Sequence, residues 1–522
     1  MKTKKFFIVF MTISVFALLA FKSPETDYDK LWASFAQKMG QSLFRTAEAE
    51  LDSIEALALS ENNQLQLLKT ILYRQETMKK PENEIPDQAF IQYAESKIDL
   101  FDSVTAAILH EEIADVYQTY YQSNSWKIRN NVAIDDDLGD VSMKYWGERN
   151  FRERIDWHYS EALNLSDALK SSTITTKYCL QFFQSSNVIN QYVEYEPTLF
   201  EFIFHRAANY YQNASSADDL DKTWNTSLWW MPANEFVEAQ LPESDSPMIR
   251  CLSIYQELIR YNLQNTDDNI LIYNDYKRYQ YINGLLGDDK KYQEALLQMI
   301  NQHGDNPLSS EIATELANSL VSQYERHSDD SLYFNNLLEA KELCHKTIAK
   351  FPHAENVEKT MKLIDHIVEP DYKLLLNDVQ LPNENIPVAL NYRNVNRLYY
   401  KIFKVNEEVL SDLDHTRNKT QYLKKLMQQP VVVENKVILP KETDYRWHST
   451  LLALPPLENG LYIILTNLEN NTIDSEKLIT IQFQVSGLSY LTSADDGKIT
   501  LRTLDRKTGK PIENVEVSIY SL

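Results

Sequence analysis

Few segments of this chain place reactive side chains at a spacing that could do chemistry. His110-Glu111-Glu112 opens like a zinc-binding helix, in which two histidines four residues apart share one helical face. Position 114 is Ala114, so the second ligand is missing and the segment reads as a solvated helix face. Asp135-Asp136-Asp137-Leu138-Gly139-Asp140 has the carboxylate density of a calcium loop. Its glycine falls one position early and the closing glutamate is absent, so it reads as an acidic turn. Cys179, Cys251 and Cys344 match no metal spacing and are too few for a disulfide framework, although one bridge between two of them is compatible with the sequence. Cys344 sits on the apolar face of a predicted helix, as a buried thiol does. His205 lies within an apolar helix and reads as a core or cap residue rather than a ligand. Trp224, Trp229 and Trp230 could form an aromatic platform for a glycan, but loop aromatics pinned to a core are the better reading. No Gly-Xaa-Ser-Xaa-Gly, phosphate-binding loop or glycine-rich dinucleotide fingerprint is present. No catalytic, cofactor-binding or metal residue is assigned, no cofactor is expected, and the chain is not expected to be an enzyme.

The elements that would position these residues come in two kinds. From about Glu25 to Val368 the apolar period is helical. Ile312, Leu316, Ala317, Leu320, Val321 and Tyr324 share one face, with Ser310 as the expected N-cap. Ala340, Leu343, Cys344, Ile348 and Phe351 form the next helix, ended by Pro352, and Val357, Met361, Ile364 and Val368 a third. Further helices are predicted over Tyr28–Leu59, Gln64–Met78, Ile91–Gln122, Tyr159–Leu169 and Leu199–Gln212. Asp135–Gly147 and Ser215–Asp245 read as loops. Glu339 to Asn356 is similar to the second helix of a tetratricopeptide repeat, within a degenerate array.

From Asp371 the period becomes two. Ile479, Ile481, Phe483 and Val485 alternate with polar residues, as do Val515, Val517 and Ile519. Asn459-Gly460 and Asp496-Gly497 are turn signals, and Ser411–Gln429 reads as a helical insertion. Pro382 and Pro387 are expected near strand ends. The fold class is therefore α+β and multidomain: a helical, TPR-like solenoid followed by antiparallel β-sandwich. The expected organisation is a signal peptide over 1–23, helical region over 24–369, sandwich over 370–487 and the start of a second sandwich over 488–522. Because the last segment is too short for a sandwich, the chain is expected to be the front part of a longer protein.

Charge and length narrow the function. The chain has 522 residues, 43% apolar and 24% charged, with only 10 glycines. That composition excludes disordered and collagen-like chains. The net charge is -23. Residues from Asp371 onward carry 18 basic and 19 acidic side chains, so the acidity lies earlier, at -26 once the N-terminal lysines are set aside. Such a surface repels phosphates, which excludes nucleic acid as a partner. Lys2, Lys4 and Lys5 followed by the apolar run Phe6–Phe21 form an export signal. No later segment is long and apolar enough to span a membrane. The expected location is periplasmic or extracellular.

Three segments carry a resemblance. One is Pro197-Thr198-Leu199-Phe200-Glu201-Phe202-Ile203-Phe204-His205-Arg206-Ala207. The second is Asn394-Val395-Asn396-Arg397-Leu398-Tyr399-Tyr400-Lys401-Ile402-Phe403, together with Leu457-Glu458-Asn459-Gly460-Leu461-Tyr462. The third is Asp505-Arg506-Lys507-Thr508-Gly509-Lys510-Pro511-Ile512-Glu513-Asn514-Val515-Glu516-Val517. In this order they resemble the N-terminal region of bacterial alpha-2-macroglobulin-like proteins. The resemblance implies macroglobulin domains and an endopeptidase inhibitor in which a cleaved bait segment closes a trap around the protease. Its thioester needs a cysteine two residues before a Glu-Gln pair, and none of the three cysteines has that context. The implied partners are proteases or other proteins, with no small-molecule substrate evident. A helical-repeat and sandwich scaffold that binds a protein partner without inhibition is the alternative.

Overall fold

Capping side chains fix where the helices begin. The computed structural model describes residues 28–79, 84–135, 138, 141–183, 194–265, 268–470, 477–495 and 498–518. These fall in two units, divided between Gly287 and Asp288. The signal segment and Asp136, Asp137, Gly139 and Asp140 of the acidic turn lie outside the described residues.

The first unit is helical: α1 (Tyr28–Gly40), α2 (Phe44–Ser60), α3 (Gln64–Met78), α4 (Pro86–Glu95), α5 (Ser103–Ile128), α6 (Glu148–Asn164), α7 (Ser166–Lys170), α8 (Thr176–Phe183), α9 (Leu199–Ala214), α10 (Ala233–Phe236), α11 (Pro247–Leu263) and α12 (Asp268–Leu286). Asn63 accepts from the Gln66 amide at 3.2 Å and starts α3 where the sequence placed it. Asp102 does the same for α5 through Thr105 at 2.8 Å. That cap splits the helix expected over Ile91–Gln122 into α4 and α5. The helix expected over Tyr28–Leu59 also splits, because Ser42 takes a left-handed turn at φ 57 after Gly40. Gly147 is needed by close approach: a Cβ there would sit 2.6 Å from the Ala133 backbone nitrogen. One large apolar cluster runs through α3–α12, and a smaller one joins α1 and α2.

The second unit begins with α13 (Asp289–His303), α14 (Leu308–Arg326), α15 (Asn336–Lys350) and α16 (Val357–Val368). α14 starts after Pro307, not at Ser310; Ser310 is inside the helix and its hydroxyl bonds Asn356 at 2.7 Å. Strands follow: β1 (Asp371–Leu375), β2 (Val379–Gln380), β3 (Ile386–Arg393) and β4 (Arg397–Val405). Helices α17 (Glu407–Asp414) and α18 (Lys419–Leu426) form the insertion. Then come β5 (Val431–Ile438), β6 (His448–Leu454), β7 (Gly460–Asn467), β8 (Ile479–Val485), β9 (Leu488–Asp495) and β10 (Lys498–Asp505).

A three-stranded sheet, β1-β3-β6, and a five-stranded sheet, β2-β8-β7-β4-β5, share a core of Tyr372, Leu390, Ile402, Ile464 and Phe483. Alternate residues of β4 and β7, among them Phe403, Ile463 and Leu465, pack instead against Leu413, Leu423 and Leu426 of the two inserted helices. Strand β7 is thus covered on both faces, which is why Leu461 to Leu465 is an unbroken apolar run. Pro387 lies in β3 at a position paired with β6 only, since β1 ends opposite Ala389. A proline is tolerated there because one side of the strand needs no donor. β9 and β10 make a separate hairpin. Among the described residues Val515 and Val517 lie in no strand: Asn514 turns the chain at φ 62, after the bridge Leu504–Pro511 and the bond from the Ile512 amide to the Thr503 carbonyl, and Ile519 lies outside the described residues. Among the described residues, no helix is long and apolar enough to cross a membrane.

Candidate functional site

Helix α5 does not present His110, Glu111 and Glu112 to solvent. It runs through the first unit's core with His110 and Glu111 buried, Glu111 only 1% exposed. The histidine that Ala114 denies is supplied by another helix. His110 Nδ1 lies 2.9 Å from Nδ1 of His158 on α6. His158 Nε2 lies 3.2 Å from Glu95 of α4, whose carboxylate also accepts from the Tyr117 hydroxyl at 3.3 Å. With both rings neutral, His158 donates to Glu95 and accepts at Nδ1 from His110. Burial, with a smaller contribution from His158, pushes His110 down to about 4, and burial lowers His158 as well. Burial is the largest influence on Glu95 and opposes its ionisation, but the interactions with His158, Arg154 and Tyr117 together hold the carboxyl below its ordinary value. The result is a relay of two neutral, buried imidazoles and one half-buried carboxylate that ties three helices together.

One turn along α5, a second group converges on Arg206 of α9. Its Nε lies 3.6 Å from Glu111 and its Nη1 3.7 Å from Asp115. Neither Glu111 oxygen has a hydrogen-bond partner. Burial raises the Glu111 carboxyl well above its ordinary value and Glu112 to about 7, against the pull of Arg206. Burial and the same two carboxyls push the Cys179 thiol up to about 12, so it is no nucleophile at neutral pH. All three cysteines are free and buried. Among the described residues no group of three His, Cys, Asp or Glu side chains could hold a metal ion.

The acidic turn and the tryptophan loop have structural partners. Asp135 pairs with Arg149. Trp229 is buried, and its carbonyl accepts from Arg278 Nη1 at 2.5 Å, while Trp230 stacks on Tyr279 at 6.1 Å. The tryptophan loop is therefore pinned to the core and is no platform. Sequence reasoning missed His158, Glu95 and Arg206, which lie 48, 15 and 96 residues from His110. Only the unusual placement of charged residues in apolar helices signalled them.

The segments that carry the family resemblance are local folding devices. Thr198 and Glu201 form a reciprocal capping box: the Glu201 amide donates to Thr198 Oγ1 at 3.3 Å and the Thr198 amide to Glu201 Oε2 at 3.1 Å. Asn394 turns at φ 56, and its amide donates to the carbonyls of Ile367 and Glu369 at 2.8 and 3.0 Å, joining the end of α16 to the sandwich. Gly460 lets the Tyr462 ring approach, and the Tyr462 hydroxyl donates to the Glu458 carbonyl at 2.9 Å. Asp505 accepts from the Thr508 amide and hydroxyl, both at 2.7 Å, and Gly509 completes the turn at φ 67.

No family model and no curated protein matches the chain. Solved structures do. Native alpha-2-macroglobulin from Escherichia coli spanning domains MG0-NIE-MG1 is 19% identical, with a TM-score of 0.21, over 27% of this chain and 46% of that one. A fragment of the same protein spanning NIE-MG1 is 17% identical, with a TM-score of 0.22, over 28% of this chain and 74% of that one. The match thus spans less than half of the longer fragment. At these scores the superpositions carry no argument about fold or function. The chain is similar, over little more than a quarter of its length, to fragments of an alpha-2-macroglobulin.

Proposed function

We propose that this chain is the N-terminal portion of an exported alpha-2-macroglobulin-like endopeptidase inhibitor, a binding protein and not an enzyme. One observation carries the reading. Two segments of the resemblance that lie some sixty residues apart, around Phe403 and Tyr462, pair as neighbouring strands, with Lys404 opposite Tyr462. They pair inside a two-sheet arrangement over 371–485 of the kind the resemblance implies. The buried, protonated thiols assign no covalent trapping residue to this chain, so bait and thioester segments belong to other parts of such a protein. Export rests on the basic and apolar N-terminal run. The test is inhibition by the native, full-length protein, as measured on trypsin with a protein substrate and with a small chromogenic peptide. A trap blocks the first and spares the second; no effect on either removes the reading.

The acidic helical region favours a second reading, a repeat-like scaffold that docks a basic protein partner. Its helices pack mainly on their neighbours in sequence, as in a solenoid. A salt-sensitive complex with a basic protein, without any inhibition, is its signature.

A further inference from the structure

The first unit carries a half-open cavity of about 470 Å³ among α9, α11, α12 and the segment before α9. Small-molecule sites run from about 300 to 1,000 Å³. The wall is polar, so an apolar guest would leave hydrogen-bonding groups unpaired. Asn209, Gln212 and Gln280 each bring an amide that both donates and accepts. Tyr255 and Tyr281 are fixed before any guest arrives. The Tyr255 hydroxyl accepts from Gln212 at 2.5 Å, and the Tyr281 hydroxyl pairs with Ser215 at 2.8 Å.

Buried orphan groups supply a second, independent sign. His205 lines the cavity and is 6% exposed, yet its Nε2 meets no hydrogen-bond partner. Beside it, the fully buried Asn274 comes close enough to the His205 ring to favour its proton, but not at the geometry of a full hydrogen bond. The two side chains thus answer each other only in part, and buried groups short of full partners are rare in a folded core.

The charges of the wall narrow the guest's chemistry. Among the described residues Lys277 is the one cation of the lining, and Glu196 stands on the same wall. Burial raises Glu196 to about 8 and lowers His205 to about 4, so both are uncharged at neutral pH. The chain's net charge of -23 disfavours anions. Among the described lining residues only Glu196 and His205 are of the types that bind a transition metal, too few for such a site. We propose that this cavity binds a neutral polyhydroxylated ring of mono- or disaccharide size, whose hydroxyls donate to and accept from the amides of Asn209, Gln212 and Gln280.

This inference is independent of protease inhibition. The test titrates the whole chain calorimetrically with maltose, cellobiose, diacetylchitobiose and, separately, inorganic phosphate. At least one disaccharide is expected to bind saturably and phosphate is not. Asn209→Leu, at an exposed position, and Lys277→Met are each expected to weaken that binding about tenfold. Their circular dichroism should match the parent's. The proposal is overturned if no disaccharide binds at roughly 10 mM, if phosphate binds instead, or if both variants bind as the parent does.

Discussion

Arg278 shows what a buried charge does here. It is 0% exposed, lies between the rings of Phe236 and Tyr279 at 4.1 Å from each, and donates to Asp275, Trp229 and Met231. Replacing it with Met leaves Asp275 and two carbonyls without that partner, so Arg278→Met should cost about 3–5 kcal/mol in a urea titration. A cost under about 1 kcal/mol would mean the network is worth no more than a surface pair. The α5 residues act through pH. His110 has a folded value below its unfolded one, so its stability contribution is lost as pH falls from about 6.5 towards 4. Glu111 and Glu112 are raised, so their contribution is present at low pH and lost as pH rises from the ordinary carboxylate range through about 7. Glu111→Gln should therefore raise the melting temperature at pH 8 and leave it nearly unchanged at pH 4. Equal shifts at both values would show that Glu111 is ionised throughout. None of this was legible in the sequence, which gave His110-Glu111-Glu112 as a solvated face. Helical spacing records which residues share a stripe, but the first half of α5 is buried on nearly every side, and its partners come from α4, α6 and α9.

Elements were legible where local chemistry sets them. Gln64–Met78 was read with the bounds it has, because Asn63 caps it and no competing signal interrupts. The start of α14 was misread because Pro307 opens the helix before Ser310 can cap it. The strands of the sandwich follow their alternation, whereas Val515 and Val517 alternate without a strand because the turn at Asn514 intervenes. Two bonds at element ends can be tested in denaturant. Thr198→Ala removes the α9 cap and should cost about 1 kcal/mol, with Thr198→Ser close to the parent. Tyr462→Phe removes the bond to the Glu458 carbonyl and should cost about 0.5–1.5 kcal/mol. Values near zero for both would make the resemblance segments mere sequence likeness without a folding role.

At the scale of the whole chain, the change of period at Asp371 was legible, and the division into units at Gly287 and Asp288 was not. Helices α13 to α16 share their helical pattern with the first unit but belong to the second, and pattern alone does not reveal packing partners. Two units with separate apolar clusters should unfold separately, so calorimetry should resolve two transitions. A single transition matching its van't Hoff enthalpy would contradict that. The most direct measurement incubates the full-length native protein with trypsin and compares hydrolysis of casein with that of a small chromogenic peptide. If the proposed trap closes on trypsin, casein hydrolysis falls several-fold while peptide hydrolysis persists. Undiminished casein hydrolysis at molar excess would contradict it.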